Sequence, residues 1–375
     1  MNKFIGQWTG TSQSGSYALV NLTQNGNNIF GRVSLYEVIT VDNEPIYYWI
    51  WSYLEGTLDN KNILSGRIHP PSIHNLHGEA LNNEYLAYLK DKSGLEFPTN
   101  TNFDAIMIDD TNISLVWNSN YISGLTRDDK IMLSKANSND SKIIHEQMTW
   151  NRFKEFASSE KDGLIYRGQA RNWKLRTSFH RTGHADIVDY FDSKIPEVEH
   201  HINAYSNYVY NINDNRSFGA LLNLVQHHGY PTPLLDWSKS PYVAAFFAFQ
   251  DETFLKKDGS ISIFIFDEIE WRKKTGALIA YKLPNIVVRT LELPGFGNSR
   301  VLPQQATFMY SNIDDIEYVL QANEQDPGQF LRAISIPVSE RSIAMRDLSL
   351  MGITWGSMFP GLDGICKQLN SRHFS

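Results

Sequence analysis

The apolar pattern of this chain changes at a short polar segment, "KANSNDSK" (residues 135–142), and the change limits the folds open to it. Before the segment, short runs of β-branched and aromatic residues alternate with Gly, Asn and Asp clusters. After it, helical and strand patterns are mixed. We therefore predict two domains, residues 1–137 and 143–375, with 135–142 as the linker. A length of 375 residues favours two domains over one.

The first domain is predicted to be all-β and antiparallel, either a closed barrel or a sandwich. Its strand candidates are "YALVNLTQ", "NIFGRVSLYEV", "IYYWIWSYLEG", "ILSGRIH", "YLAYLK", "AIMI" and "ISLVW". The opening "GQWTG" resembles the Gly-x-Trp start of lipocalin-like barrels, where the tryptophan plugs one end. Trp8 would have that role or would simply pack in a core. A ligand-sensing barrel and a solid domain that binds a partner both remain open.

The second domain is predicted to be α+β. "IIHEQMTWNRFKEFASSE" has a helical rhythm, "GLIYRG" and "TPLLDWS" read as strands, and "ALLNLVQHHG" reads as a helix that Gly229 ends. "SPYVAAFFAFQ" reads as a buried helix, with Ser240 as N-cap and proline at its first position. We expect Phe246, Phe247 and Phe249 to pack against the central sheet. "GSISIFIFD" and "FLRAISIPV" are further buried strands.

Composition excludes several classes of site. Net charge is −7, and no clustered basic face suggests nucleic-acid binding. The single cysteine, Cys366, excludes an intramolecular disulfide and is expected to be a core thiol. His69, His74 and His77 lie in a proline-containing loop, so we expect no metal site there. No long apolar stretch suggests a signal peptide or a membrane span. A cytoplasmic protein is expected.

The second half resembles the FRG domain family, which takes its name from a Phe/Tyr-Arg-Gly tripeptide. The tripeptide is here Tyr166, Arg167 and Gly168. The matching blocks are "IYRGQ", Trp173 to Arg181, "LLNLVQHHGYPTPLLDWSKSPYVAAFFAF" at 221–249, "RVLPQQATF" at 300–308 and "MFPGLDGICKQL". The resemblance runs in order over residues ~145 to 370 and leaves out the first half.

The order of these motifs is similar to that of the ADP-ribosyltransferase fold, in which three strands carry the site. The resemblance implies that the three are marked by Arg167-Gly168, by Asp236-Trp237-Ser238 and by Gln304-Gln305. It implies NAD as the substrate, no metal, and an acceptor that is a protein, a nucleic acid or water. The implied catalytic residues are Arg167, Ser238, Gln304 and Gln305.

The residues expected to contact the nucleotide are Tyr166, Gly168, Gln169, His227, Asp236 and Trp237. Arg167 suits phosphate or ribose oxygens because its planar fork donates several hydrogen bonds. Gly168 would let the backbone approach the nicotinamide carboxamide. Tyr166 or Trp237 would stack on the nicotinamide ring.

The third strand has glutamine where the fold has a catalytic glutamate. A unit charge at 4 Å contributes about 4 kcal/mol at an effective dielectric near 20, so its loss costs roughly a thousandfold in rate. Either Asp236 supplies the charge, or activity is weak, or the fold only binds. Arg167 would then be the ion-pair partner of Asp236. The alternatives are a non-catalytic module that binds a nucleotide or a partner and is coupled to a sensing β-domain, and a hydrolase that uses a histidine and an aspartate from 227–236.

Overall fold

The computed structural model describes residues 3–12, 15–136, 138–250, 252–256, 258–278 and 280–374. It contains two β-sheets, one on each side of the polar segment at 135–142. Among the described residues, no strand of one sheet pairs with a strand of the other. The ends of the two predicted domains at residues 1, 137 and 375 lie outside the described residues, and the proposed division stays a prediction.

The first sheet closes into an antiparallel barrel of eight strands, because β3 pairs with both β2 and β4. The order around the barrel is β3-β2-β1-β9-β8-β7-β5-β4, and the short β6 pairs with β4 outside this circuit. The elements of this half are β1 Gly6–Thr11, β2 Tyr17–Asn25, β3 Asn28–Val41, β4 Glu44–Leu58, β5 Ile63–Ile68, β6 Ser72–His74, α1 Asn83–Ser93, β7 Asn100–Met107, β8 Asn112–Asn120 and β9 Thr126–Ser134. Of the two predicted β-architectures, the barrel is the one observed.

Alternation along the strands explains how the barrel fills its interior. On β2, Ala18 and Val20 point inward, whereas Leu19 between them joins an apolar cluster of the second sheet. Trp8 is 0% exposed within the barrel core, and its indole N–H donates to the carbonyl of Phe4 at 2.7 Å. The Lys135 ammonium lies 4.3 Å from the centre of the Trp8 ring. The opening tryptophan is therefore a core residue of a closed barrel.

One predicted strand of the barrel half, "YLAYLK", is wrong, because it lies in helix α1. The Asn82 side chain accepts a hydrogen bond from the Tyr85 backbone N–H and caps the start of this helix. Gly94, with φ 68°, ends it in the left-handed conformation. These two caps outweigh the β-favouring tyrosines between them.

The second sheet has seven strands in the order β10-β16-β13-β11-β12-β15-β14. All its neighbours are antiparallel except β10 and β16. The elements are β10 His145–Gln147, α2 Trp150–Ser159, β11 Leu164–Gln169, α3 Ser178–Arg181, α4 Ile187–Asp189, α5 Ile195–Tyr205, α6 Asn215–His227, β12 Leu234–Ser238, α7 Pro241–Phe249, β13 Ser260–Asp267, α8 Glu268–Thr275, β14 Val288–Leu291, β15 Ala306–Ser311, α9 Ile316–Ala322, β16 Leu331–Pro337, α10 Arg341–Leu350, α11 Trp355–Met358 and α12 Leu362–Phe374. The mixed α+β prediction for this half is confirmed.

Three local expectations in this half need correction. The helix predicted from residue 143 begins only at Trp150, where Thr149 caps it, and the residues before it form β10. Phe246 and Phe249 of α7 are fully buried, but Phe247 is only half-buried because it borders a cleft. Cys366 is an exposed thiol on α12, not a core residue.

Polar contacts join the barrel to the second sheet. The Gln7 amide on β1 donates to the Asn312 carbonyl at 2.9 Å, and its oxygen accepts from the Asp314 backbone N–H at 2.6 Å. Arg32 on β3 pairs with the buried carboxylate of Asp186 at 3.0 Å. The two sheets therefore meet across a surface that is buried on both sides.

Across the described ranges, the helices are all too short or too polar to cross a lipid bilayer.

Candidate functional site

Strands β11, β12 and β15 lie side by side in the second sheet. The first two carry Arg167-Gly168 and Asp236-Trp237-Ser238, whereas Gln304-Gln305, predicted on the third strand, lies in the turn just before β15. The ladder between β11 and β12 has a single pair, Tyr166 with Ser238, whereas β12 and β15 pair over five residues from Leu234 to Ser238. A cleft of about 300 Å³ lies beside this short ladder. Eight of the ten predicted site residues line the cleft: Tyr166, Arg167, Gly168, His227, Asp236, Trp237, Ser238 and Gln304.

Arg167 presents a partly unpaired guanidinium to this cleft. One terminal nitrogen donates to the Asp236 backbone carbonyl at 2.6 Å, and the buried Nε has no hydrogen-bond partner among the described residues. Burial lowers the pKa of Arg167 to about 10. Attraction to Asp236 opposes this shift, and repulsion from Arg181 adds to it. The side chain remains charged at neutral pH. Its contact with Asp236 is to the backbone, so the ion pair considered from the sequence is not the contact observed.

The Asp236 carboxylate is held by Gln226 instead. The Gln226 Nε2 donates to Asp236 at 3.1 Å and to the Leu234 carbonyl at 3.3 Å. Its Oε1 accepts from the hydroxyls of Thr232 and Ser178. Because both ends of the amide are occupied, the carboxylate keeps a defined position at the cleft wall.

His227 and Arg300 form the opposite wall. Burial, followed by repulsion from Arg300 and His228, lowers the pKa of His227 to about 4, so its ring is neutral at pH 7. Its buried Nε2 has no hydrogen-bond partner in the described chain. Arg300 donates to the His227 carbonyl at 3.3 Å, and its guanidinium lies 5.1 Å from the ring centre of Phe359. The sequence marked Arg300 only as the start of a motif; its role as a second cation of the cleft depends on the fold.

Of the predicted catalytic residues Ser238, Gln304 and Gln305, the first two line the cleft and the third does not. The Ser238 hydroxyl donates to the Gln304 carbonyl at 2.8 Å and accepts from the Ser240 N–H at 3.0 Å. The Gln304 Nε2 donates to the Met358 carbonyl at 2.8 Å. Gln305 is exposed, has φ 47°, and lies outside the cleft. The structure therefore brings Arg167, Ser238 and Gln304 together and leaves out Gln305.

Four of the residues predicted to contact the nucleotide are held mainly by contacts within the protein. They are Tyr166, Trp237, Gln169 and Gly168. Tyr166 is 4% exposed in an apolar core, and burial raises its pKa to about 12. Trp237 is 3% exposed and its ring packs on Phe266 at 5.7 Å, so little of the ring is open to a ligand. Gln169 lies outside the cleft and donates to the Trp173 carbonyl at 2.7 Å.

Gly168 is required by helix packing. A Cβ at this position would lie 1.8 Å from the Ala244 carbonyl oxygen of α7. Of the aromatic residues that line the cleft, Phe247 and Phe359 are partly exposed, and their rings meet edge to face at 5.9 Å. Sequence reasoning assigned neither of these two rings to the site.

A larger groove of about 720 Å³ lies between α2 and α8. Its charged residues are largely satisfied within the protein: Lys161 pairs with Asp267, Lys239 with Glu292 and Glu160 with Arg332. The smaller cleft is the better candidate because its buried polar atoms on Arg167 and His227 have no hydrogen-bond partner in the described part of the chain. Among the described residues, no cluster of three or more His, Cys, Asp or Glu is arranged to hold a metal.

The family model described as "FRG domain" matches residues 162–257, which include β11, β12 and α7. Solved structures similar to the barrel include EF1p2_mFAP2b bound to DFHBI, with 10% identity, 36% of this chain and 94% of that chain covered, and a TM-score of 0.22. The redesigned β-barrel mFAP0 bound to DFHBI shares 15% identity, covers 36% of this chain and 100% of that chain, and has a TM-score of 0.18. No curated protein matches the chain.

Proposed function

We propose, from the premise that residues 162–257 form an FRG domain, that the cleft binds NAD and that the protein transfers ADP-ribose from it to an acceptor. The observation that carries this proposal is the Arg167 guanidinium, which is charged, largely withdrawn from water and short of hydrogen-bond partners at the cleft wall. A buried cation with an unpaired donor is stabilised by an anionic ligand.

The charges that line the cleft favour a phosphate-bearing ligand. Arg167 and Arg300 contribute two positive charges and Asp236 one negative charge. His227 is neutral at pH 7 because its pKa is lowered to about 4. The resulting net charge of about +1 suits a pyrophosphate, and arginine forks match its oxygens.

The chemistry needs negative charge beside the ribose. When the bond between C1′ and nicotinamide breaks, nicotinamide leaves with the electron pair and positive charge develops on the sugar. Asp236 is the carboxylate among the described residues of the cleft, and Gln226 holds it in place. We assign to Asp236 the role that the missing third-strand glutamate would have. The acceptor's nucleophilic atom then bonds to C1′, and its proton passes to a base or to solvent.

A binding module without catalysis is the second candidate. It is favoured by Ser238 and Gln304, whose side chains are each tied to a backbone carbonyl and not directed to a ligand. In this case NAD or a related nucleotide binds and remains intact.

The test measures NAD binding by titration calorimetry and nicotinamide release by chromatography, for the full chain and for Asp236→Asn. We expect the variant to keep its affinity within a few-fold and to lose about a hundredfold or more in release rate. Asp326→Asn, an exposed carboxyl far from the cleft, is the matched control. Binding without release by the parent favours the second candidate, and no NAD binding by the parent contradicts the first candidate and, for NAD as the ligand, the second.

A further inference from the structure

The barrel encloses a second cavity, separate from the cleft of the FRG domain. Its volume is about 390 Å³, within the range of small-molecule sites. The walls are mostly apolar and come from strands on all sides of the barrel. They include Val20, Val33, Ile50, Leu115 and Ile131. The other part of the interior is filled around Trp8, so the cavity occupies only one portion of the barrel.

Two of the carboxylates that line this cavity, Glu37 and Asp129, lie on β3 and β9. Glu37 is half-buried. Burial, and to a smaller extent repulsion from Asp129, raises the pKa of Glu37, while a hydrogen bond with Ser16 opposes this shift. Asp129 faces the same cavity and accepts from the Lys130 N–H at 2.7 Å. Neither carboxylate forms an ion pair with any residue that the structure describes. Two neighbouring carboxylates in a confined space thus lack a counter-charge.

The remaining charged residues around the cavity keep it acidic. Glu96 accepts from the Ser123 N–H and hydroxyl, and Asp128 accepts from Asn118 at 2.7 Å. Apart from His69, Arg127 is the basic residue among the described residues that line the cavity. Its guanidinium lies 5.4 Å from the centre of the Tyr121 ring. Four carboxylates and one guanidinium leave about three negative charges. A cation is therefore attracted to the cavity and an anion is repelled.

Aromatic rings are placed to receive the body of such a cation. Tyr48 lies opposite Glu37 across the β3–β4 ladder, and Trp117 lies opposite Asp129 across the β8–β9 ladder. Burial raises the pKa of Tyr48, so this phenol stays protonated and adds no negative charge. Ring faces beside carboxylates are a favourable environment for an ammonium group.

We propose that the barrel cavity binds a small amphiphilic amine, with its apolar body among the wall residues and its ammonium group between Glu37 and Asp129. The ammonium supplies the counter-charge that no described residue gives these carboxylates through an ion pair. This site does not rest on the function proposed for the FRG domain.

The experiment titrates the full chain with three probes of one shape, naphthylethylamine, naphthylethanol and naphthylacetate, by calorimetry and by quenching of tryptophan fluorescence. We expect the amine to bind about tenfold or more tightly than the alcohol, and the carboxylate to bind most weakly. Because protonation of Glu37 removes its charge, the affinity for the amine falls as the pH is lowered towards the raised pKa of Glu37. The affinity for the alcohol does not change in this way.

Glu37→Gln and Asp129→Asn test the placement of the ammonium group. Each keeps the side-chain shape, and each is expected to weaken amine binding about tenfold or more while leaving alcohol binding within twofold. Glu44→Gln, on the exposed end of β4, is the matched control and should change neither. The probe series needs no variant, so it decides the question even if a substitution prevents folding. Equal binding of amine and alcohol, or no binding of either at about 1 mM, overturns the proposal.

Discussion

Arg167 shows why a charged residue can follow an apolar run at the end of a strand. The residues before it, Leu164 to Tyr166, are buried in the apolar cores of the sheet. Placing a guanidinium next to them costs free energy unless its donors are satisfied. The Asp236 carbonyl satisfies one donor, and Nε is left without a partner among the described residues. This unsatisfied donor is the observation on which the proposal of an anionic ligand rests.

Arg167→Lys tests whether the positive charge of Arg167 or the planar shape of its guanidinium is needed to bind the ligand. Lysine keeps the positive charge and loses the planar fork that binds phosphate or ribose oxygens. We expect NAD affinity to fall about tenfold or more, with the melting temperature nearly unchanged. Calorimetry and thermal unfolding measure the two quantities, and Arg152→Lys on the exposed face of α2 is the control. A lower melting temperature together with no NAD binding by the parent would instead assign Arg167 a structural role.

His180 makes the folded state sensitive to acid. This ring is 1% exposed and contacts the Thr177 hydroxyl at 2.7 Å, and burial lowers its pKa to about 4. The unfolded chain, with an ordinary histidine pKa near 6.5, binds the proton first as the pH falls. The free energy of unfolding should therefore decrease between about pH 6.5 and pH 4, by about 3 kcal/mol for this residue.

Urea unfolding at several pH values measures this loss. His180→Gln removes the titrating group, so its stability should depend less steeply on pH than that of the parent. His227 contributes in the same direction, because burial also lowers its pKa to about 4. An unchanged pH dependence in the His180 variant would contradict the assignment.

At the scale of elements, the sequence predicted the secondary structure of most segments but not which residues would pack around them. The strand "TPLLDWS" and the helix after Ser240 are observed, because caps and apolar runs are local signals. The exposure of Phe247 and the burial of the Trp237 ring depend on which strands become neighbours. Strand β9 was missed because its first half, "TRDD", is polar, and its first three residues are exposed.

The packing of α7 on β11 can be tested by a substitution at Gly168. A Cβ on Gly168 would lie 1.8 Å from the Ala244 carbonyl and 3.0 Å from the Ala248 Cβ. Gly168→Ala must therefore push the helix away from the strand, and we expect a loss of about 3 kcal/mol or more in the free energy of unfolding.

Denaturant unfolding measures that loss. Gly295→Ala is the control, since its new Cβ would meet first the Val301 Cγ2 at 3.2 Å and no backbone atom closer than 3.5 Å. Equal stability of the Gly168 variant and the parent would show that α7 does not pack on β11 as described.

For the whole molecule, the surface between barrel and second sheet contains buried side-chain hydrogen bonds as well as apolar packing. Gln7 is 6% exposed and hydrogen-bonds to Asn21 of the barrel and to Asn312 and Asp314 of the second half. Gln7→Ala leaves these groups buried without partners, and we expect a loss of about 1–3 kcal/mol in the free energy of unfolding. Gln24→Ala on the exposed end of β2 serves as control in the same denaturant measurement. Equal effects of the two substitutions would contradict a buried interface.

Leu19 is a residue of a barrel strand whose side chain completes an apolar cluster of the other sheet, together with Leu235, Trp237 and Met309. The barrel therefore supplies part of the apolar interior of the second half, and the peptide segment at 135–142 is not the sole connection between the two halves. A chain cut within this segment would behave as a two-fragment complementation system, in which the barrel piece and the FRG piece recognise each other when they are produced separately. The covalent connection then serves mainly to raise the local concentration of one half around the other.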